Sequence, residues 1–316
     1  MDLQTKLSLK QQSHNLIDYN SKLLLLGSCF SENIGNKLSY YKFQVNQNPF
    51  GILFHPKAIE TLITNAINEK TYTETDIFEL NERWHCFDVH SNLSEVDKEH
   101  LLQNINSAIQ ITSKELLDAS HIIITLGTAW VYRFISSDTI VANCHKVPQK
   151  QFLKELLPVD EITASLENIC ALIKSVNPKA SIIFTVSPVR HLKDGFIENQ
   201  RSKSHLFAGI HEVVEPRKQH YYFPSYEILM DELRDYRFYK ADMIHPNETA
   251  INYIWKKFSE TWFSENTLQT LTKVEEIQKG LAHKPFNPNS EAHQKFLNKL
   301  AQKKETLIQA FPFMKF

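Results

Sequence analysis

Continuous apolar runs alternate with stretches of helical spacing along much of the chain. The apolar runs cover residues 22–26, 121–126 and 181–186, and they end at Gly27, Gly127 and Ser187-Pro188 respectively. Helical spacing follows the first run at residues 31–40 and precedes the other two at residues 94–119 and 160–176. Strands that are apolar throughout are typical of a parallel sheet covered on both faces. We therefore predict an α/β fold with a mostly parallel sheet, whose ligands bind beyond the carboxyl ends of the strands.

Two further regions have other patterns. Residues 72–90 and 130–142 alternate apolar and polar positions, which predicts a small inserted region of antiparallel strands. Residues 265–316 are rich in lysine and glutamine and have helical periodicity, interrupted by Pro-Phe-Asn-Pro at 285–288. We therefore predict one domain over residues 1–264 and a C-terminal helical segment over residues 265–316.

Composition excludes several classes of function. Only 7 of the 316 residues are glycine, and their spacing permits neither a G-x-G-x-x-G nor a G-x-x-x-x-G-K nucleotide loop. Lysine and arginine (35) nearly balance aspartate and glutamate (36), so no strong field attracts nucleic acid or an anionic membrane. Neither is therefore an expected partner, and composition leaves the oligomeric state open.

The chain also lacks the usual signals for membranes and secretion. Its longest aliphatic run, residues 23–26, is far shorter than the roughly 20 residues of a spanning helix. The N-terminal stretch has no apolar core of a secretory signal. Four cysteines occur without C-x-x-C pairing, which is typical of reduced thiols. These features predict a soluble cytoplasmic protein.

The turn Gly27-Ser28-Cys29-Phe30, between the first strand and the next helix, is the first candidate for chemistry. A nucleophile at a helix N-terminus gains from backbone N–H groups and the helix dipole, which favour a thiolate or a developing oxyanion. The structural alternative is a turn of small residues with a buried thiol, because cysteine is among the most buried residue types. The tetrapeptide alone does not decide between these interpretations.

The segment Asp242-Met-Ile-His245-Pro246-Asn247 is the second candidate. Histidine suits general-base catalysis near neutral pH, and a carboxylate orients its ring and stabilises the imidazolium. Asn247 is predicted to cap a helix over residues 248–258. The alternative interpretation is a capping loop with a surface ion pair.

Together, the two segments resemble the SGNH (GDSL-like) hydrolase superfamily. The block Leu-Leu-Leu-Leu-Gly-Ser-Cys-Phe-Ser at 23–31 is similar to the GSCFA family within it. Other similar segments are 48–52, 126–129, 143–146, 187–190, 194–203 and 226–236, so the resemblance covers most of residues 22–263. It implies a three-layer α/β/α sandwich with a flavodoxin-like sheet, and the hydrolysis of esters or acyl groups.

The resemblance also implies roles for the two candidate segments. The superfamily's Gly-Asp-Ser block carries the nucleophile at its third position, which aligns without gaps with Cys29, and its aspartate aligns with Ser28. Either Cys29 attacks as a thiolate paired with His245, or a shift of the turn presents Ser28. Cysteine is the more nucleophilic near neutral pH once it is paired with histidine, which favours Cys29. By the same resemblance, Asp242 orients His245.

The oxyanion site departs from the pattern of the superfamily. Gly51 matches the glycine that donates a backbone N–H, whereas the Gly-x-Asn-Asp block corresponds to Gly127-Thr128-Ala129-Trp130 and lacks the asparagine. Asn48 or Asn143 is a candidate replacement for this amide. Loss of one such donor costs about 3 kcal/mol of transition-state stabilisation.

Two basic segments are candidates for substrate binding. His145-Lys146, and Arg190 together with Lys203, would contact an anionic or sugar group, unless they are solvated loop charges. A zinc site is the other alternative for the histidines and cysteines at His85-Cys86, His90 and Cys144-His145. Their spacing lacks a C-x-x-C or H-x-x-x-H pair, so we predict no metal and no cofactor.

The sequence therefore favours an SGNH-type hydrolase that cleaves an ester, such as an O-acetyl group on a carbohydrate. The alternatives are an inactive carbohydrate- or acyl-binding protein on the same fold, and an acyltransferase.

Overall fold

A five-stranded parallel sheet forms the centre of the computed structural model, which describes residues 4–316. The strands in the described residues are β1 (Lys22–Gly27), β2 (Gln44–Gln47), β3 (Phe78–Leu80), β4 (Arg83–His85), β5 (His121–Leu126), β6 (Trp130–Phe134), β7 (Thr139–Val141), β8 (Phe152–Leu156), β9 (Ser181–Val186) and β10 (His220–Tyr222). The central sheet has the order β2-β1-β5-β9-β10, and every neighbouring pair in it is parallel.

Helices cover both faces of this sheet. They are α1 (Cys29–Tyr40), α2 (Pro56–Ile67), α3 (Lys98–Asp118), α4 (Val159–Val176), α5 (Phe196–Val213), α6 (Ser225–Glu227), α7 (Glu248–Trp262), α8 (Glu265–Ala282) and α9 (Glu291–Ala310). The short α6 continues into a π-helical segment, Ile228–Leu233.

Alternating side chains of the central strands enter two separate cores. In β1, Leu24 and Leu26 pack with α2, α3, α4 and α5, whereas Leu23 and Leu25 pack with α1, α7, α8 and α9. A strand buried on both faces needs apolar residues at successive positions, which explains the continuous runs in the sequence. The three-layer α/β/α fold is therefore confirmed.

The strand order creates a crevice at the carboxyl edge of the sheet. The chain leaves β1 through α1 to β2 on one side, and the later strands β5, β9 and β10 lie on the other side. The order therefore reverses between β1 and β5, and such a switch point is where ligands bind in open α/β sheets. Gly27-Ser28 follows β1 and Gly127-Thr128 follows β5, so both turns border this crevice.

Capping side chains decide where two helices begin, and both starts differ from the predicted ones. Helix α1 begins at Cys29 instead of residue 31, because the Ser28 side chain accepts from the backbone N–H of Phe30. Helix α3 begins at Lys98 instead of residue 94, after the Asp97 side chain caps its first turn. The first difference places Cys29 at the first helical position.

Antiparallel strands occupy both regions of alternating pattern. Strands β3 and β4 form a hairpin, and β6 pairs with β7 and β8 in a separate three-stranded sheet. The pattern did not predict β8. Only three residues separate the end of β5 from the start of the three-stranded sheet, so this sheet stands beside the carboxyl edge of the central sheet.

The C-terminal helices share a core with the rest of the molecule. Val274 and Ile277 of α8, with Leu300 and Leu307 of α9, are buried in the cluster that contains α1 and α7. Proline at 285 and 288 lies between the two helices, as the sequence predicts. None of the helices in residues 4–316 has the length and apolar character needed to cross a membrane.

Candidate active site

The turn after β1 is held tightly against β5. Gly27 has φ +138°, and a Cβ atom there would lie 2.2 Å from the carbonyl oxygen of Thr125. The backbone N–H of Ser28 donates to the same oxygen at 3.0 Å. Only glycine adopts this conformation readily and fits this space, so it positions Ser28 and Cys29 at the switch point.

Ser28 and Cys29 differ in exposure. The Ser28 side chain is fully buried, and its Oγ accepts from the Phe30 N–H at 3.3 Å as the cap of α1. Cys29 is half-buried and is the first residue of the helix. Of these two side chains, that of Cys29 is the one a ligand can reach.

The Cys29 thiol is mainly protonated in this environment. Burial raises the pKa of the Cys29 thiol, and the carboxylate of Glu32 acts in the same direction. Lys203 and two backbone N–H groups at the start of α1 lower the pKa but do not cancel this effect. Because only the thiolate is strongly nucleophilic, Cys29 needs a base to react near neutral pH.

Asp242 and His245 form a pair in the loop before α7. Oδ2 of Asp242 lies 2.8 Å from Nδ1 of His245, and both side chains are about two-fifths exposed. Oδ1 of Asp242 accepts from the backbone N–H groups of His245 and Ile244, at 3.0 and 2.9 Å. These N–H groups and the His245 ring lower the pKa of Asp242 to about 2, so the carboxylate is ionised near neutral pH.

A lysine on α5 bridges the ends of two central strands. Lys203 is fully buried, and its Nζ donates to the carbonyl oxygens of Gly127 and Ser187 at 2.7 Å each. Burial lowers the pKa of Lys203 to about 7, and Cys29 acts in the opposite direction. A partly charged ammonium therefore lies close enough to the thiol to influence its ionisation.

His191 is a site residue that the sequence did not single out. A Cβ atom at Gly127 would lie 3.1 Å from Nε2 of His191 and 3.3 Å from Cβ of Ser28, so the ring borders the turn at residues 27–30, which we call the nucleophile turn because it carries the candidate nucleophiles. Nε2 is shielded from solvent and has no hydrogen-bond partner. Burial lowers the pKa of His191 to about 3, helped by the charges of Lys203 and His245. The ring is therefore neutral near pH 7. One sequence signal could have identified His191: it follows β9 at the sheet edge that also carries the turns after β1 and β5.

The two asparagines proposed for the missing amide lie in different environments. Oδ1 of Asn48 accepts from the Gly27 N–H at 2.9 Å, while its buried Nδ2 has no hydrogen-bond partner. Oδ1 of Asn143 accepts from the His145 N–H at 2.9 Å, and the residue lines a cavity beside β6. Asn48 is therefore the one held against the nucleophile turn with a free amide donor.

Gly51 does not offer a free N–H in this structure. Its backbone N–H donates to the carbonyl oxygen of Asn48 at 2.8 Å and closes a turn. Its φ is +72°, and a Cβ atom there would lie 2.5 Å from Cβ of His90. The glycine thus allows a close approach of the chain, and its predicted role as oxyanion donor would require the turn to open.

His145 is not brought together with the other site residues. It is buried, and its Nε2 lies 2.7 Å from the carbonyl oxygen of Cys86. The neighbouring His85 ring uses both nitrogens, with Ser94 and the Leu80 carbonyl oxygen as partners. In residues 4–316, no three histidine, cysteine or acidic side chains are arranged to hold a metal. These histidines join the β3–β4 hairpin to the loop around 145.

A cavity of about 550 Å³ opens beside the nucleophile turn, and we call it the first cavity. Phe54 and His191 line it and also border Gly127, which connects the cavity to the turn. Its walls include three aromatic rings and four polar or charged groups, namely Trp130, Tyr132, Phe152, Asn143, Lys146, Lys154 and Lys193. Aromatic walls with a few polar groups are typical of sites for small organic ligands.

Fold and site together define a parallel α/β protein with a cysteine and an aspartate–histidine pair among the loops at the carboxyl edge of its sheet. The family model described as "GSCFA family" matches residues 22–258, from β1 into α7. A second model, "GSCFA domain protein, C-terminal domain", matches residues 274–316. The chain belongs to the GSCFA family. A search of curated proteins found no match.

Proposed function

We propose that this protein is an SGNH-type hydrolase that cleaves an acyl ester of a small molecule or carbohydrate. The observation that carries the proposal is the Asp242–His245 pair at 2.8 Å, on the same sheet edge as a half-buried cysteine that begins a helix. A carboxylate that orients a histidine, which then activates a nucleophile, is the arrangement used by unrelated acyl hydrolases.

In this reaction Cys29 is the nucleophile. The Ser28 hydroxyl is buried and engaged as a helix cap, whereas Cys29 is accessible. The protonated thiol requires a base, which His245 supplies from Nε2 when its Nδ1–H donates to Asp242. The exposed His245 ring can shift toward the substrate as the ligand binds, since catalytic contacts often tighten only in the complex.

The reaction then follows two acyl-transfer steps. His245 takes the proton from Sγ of Cys29, and the sulfur attacks the ester carbonyl to form a tetrahedral oxyanion. As the intermediate collapses, the C–O bond to the alcohol breaks and the leaving alkoxide takes the proton from His245. Water, deprotonated by His245, attacks the thioester, and the second collapse releases the acid and returns the proton to Cys29.

Asn48 is proposed to replace the missing asparagine of the oxyanion site. Its Oδ1 is fixed by the Gly27 N–H, so its unpaired Nδ2 is held beside the turn that carries Cys29. The N-terminus of α1 and the Lys203 ammonium add positive potential there. Donors aimed at a developing oxyanion are worth more in a water-poor site than in solution.

Asn48→Asp is expected to lower kcat by about 10²-fold or more, with a smaller effect on KM. The change keeps an oxygen for the Gly27 N–H and replaces the amide donor by an acceptor. The matched control is Asn143→Asp, which alters the amide in the first cavity and should change kcat little. Steady-state kinetics with p-nitrophenyl acetate measures both. A larger loss of kcat in the Asn143 variant would assign the donor role to Asn143 instead.

The experiment that tests the function is the hydrolysis of p-nitrophenyl acetate and butyrate by the wild type and His245→Ala. We expect turnover by the wild type and its loss in the variant, with His283→Ala as a control in an exposed histidine outside the site. Equal rates in all three proteins would contradict the proposed role of His245. Product analysis with an added sugar acceptor separates hydrolysis from acyl transfer.

A catalytically inactive binding protein is the second candidate. The missing asparagine after β5 and the occupied N–H of Gly51 favour it, because both remove donors expected at an oxyanion. A ligand that co-purifies with a protein inert toward every ester would support this function.

We also propose a cytoplasmic location, because all four cysteines are unpaired.

A further inference from the structure

Arg190 and His191 are adjacent in the chain but line different cavities. His191 faces the first cavity, whereas Arg190 lines a second one of about 440 Å³, which we call the Arg190 cavity. The loop after β9 therefore separates the two spaces. The acyl-transfer steps proposed above do not use the Arg190 side chain.

The Arg190 guanidinium is held by aromatic rings. Its centre lies 4.3 Å from the Tyr239 ring centroid, 5.2 Å from that of Tyr236 and 5.8 Å from that of Phe196. Such cation–π contacts engage the face of the group, whereas its N–H donors point outward in the plane and can reach other acceptors. The aromatic rings thus fix the position of a charge without neutralising it.

No carboxylate neutralises this charge. Within residues 4–316, Arg190 forms no ion pair, and its Nη1 is shielded from solvent without a hydrogen-bond partner. Asp235 also lines the cavity, but it pairs with Arg237 at 3.0 Å. Asp231 is exposed. A shielded N–H donor without an acceptor is costly, and an anion that reaches Nη1 from the cavity would reduce that cost.

Three segments of the chain meet at this cavity. They are the loop after β9, the N-terminal part of α5, and residues 226–239 around the π-helical segment. They contribute Gln200, Tyr226 and a second cation, Arg234, to the lining. Arginine is the side chain best suited to bind carboxylate or phosphate through two parallel hydrogen bonds.

The cavity is also coupled to the loop of the proposed base. The backbone N–H of Arg190 donates to the carbonyl oxygen of Ile244 at 3.3 Å, between Asp242 and His245. The backbone of Tyr239 pairs with Pro246. A ligand seated on Arg190 would therefore contact two residues, Arg190 and Tyr239, whose backbones pair with the segment that positions His245.

We propose that the Arg190 cavity is a binding site for an anionic group, a phosphate or a carboxylate, held by Arg190 with Arg234 as the second cation. The anion belongs either to the substrate of the Cys29 site or to a separate small ion. Binding itself does not depend on the proposed hydrolysis, so it can be measured on a protein without the nucleophile.

The test is isothermal titration of inorganic phosphate, and then of acetate, into Cys29→Ala and into Cys29→Ala combined with each arginine variant. We expect saturable binding in the parent. Binding should be about tenfold weaker or worse with Arg190→Lys, since the paired geometry is lost, and absent with Arg190→Gln. Arg201→Gln is the control, because Arg201 is an exposed arginine of α5 outside both cavities.

Other outcomes are equally decisive. The proposal would be overturned if the parent bound neither anion saturably. It would also be overturned if the parent and the Arg190→Gln variant bound the anion with equal affinity. If the Arg190→Gln variant fails to fold, as circular dichroism would show, the Arg190→Lys and Arg234→Gln variants replace it. Unchanged affinity for the anion in both of these variants would overturn the proposal. Competition by phosphate against an anionic ester in wild-type hydrolysis identifies a substrate-borne anion, whereas binding without competition identifies a separate ion.

Discussion

Cys29→Ala is expected to lower kcat/KM for ester hydrolysis by at least about 10³-fold, because it removes the atom that forms the acyl intermediate. The structure favours this residue over its neighbour through exposure: Cys29 is half-buried, and Ser28 is fully buried. Hydrolysis of p-nitrophenyl acetate at several pH values measures the loss.

Ser28→Ala is the matched control for this prediction. Because the substitution removes the cap of α1, it should lower the free energy of unfolding by about 1 kcal/mol and leave most of the hydrolytic activity.

Because the pKa of the Cys29 thiol is raised, its alkylation by iodoacetamide should be slow near neutral pH and accelerate as the pH rises. An active Cys29→Ala and an inactive Ser28→Ala would instead assign the nucleophile to Ser28.

Gly27→Ala is expected to destabilise the protein by about 3 to 5 kcal/mol, a large part of the stability of an ordinary domain. The new Cβ would lie 2.2 Å from a backbone oxygen of β5, and the backbone would keep a φ of +138° that alanine rarely adopts. Because the clashing atom belongs to a central strand, relief requires β1 and β5 to separate. The midpoint of urea unfolding measures the change.

Gly195→Ala separates the two causes of this loss. Gly195 also has a positive φ, +90°, but a Cβ atom there would meet nothing within 4 Å. The control should therefore show only backbone strain, about 1 to 2 kcal/mol. Equal destabilisation by the two substitutions would show that packing against β5 contributes little at Gly27.

The core of the sheet could be predicted from the sequence, and its edges could not. Strands β1, β5 and β9 are central and buried on both faces, so each is a continuous apolar run. Strands β2 and β10 lie at the edges of the sheet. Strand β2 has the sequence Gln-Val-Asn-Gln and is only partly buried, so its pairing with β1 leaves no apolar signal.

Local geometry was equally accessible from the sequence. The turn at Ser28-Cys29 and the spacing of Asp242 and His245 depend on neighbours within a few residues, and the structure places each pair as the local pattern indicates. The predicted cap at Asn247 is also present, since its side chain accepts from the Ala250 N–H at 3.1 Å. Short-range hydrogen bonds of this kind need no knowledge of the fold.

The sequence alone thus determined the parallel α/β core and the local geometry of two short segments, because periodicity and capping are local properties. Only the tertiary structure decided which distant side chains meet. It placed the free amide of Asn48 beside the nucleophile turn, His191 against Gly127, and Arg190 in a cavity of its own. These contacts join residues far apart in the chain, and they depend on strand order and burial, which no local spacing encodes.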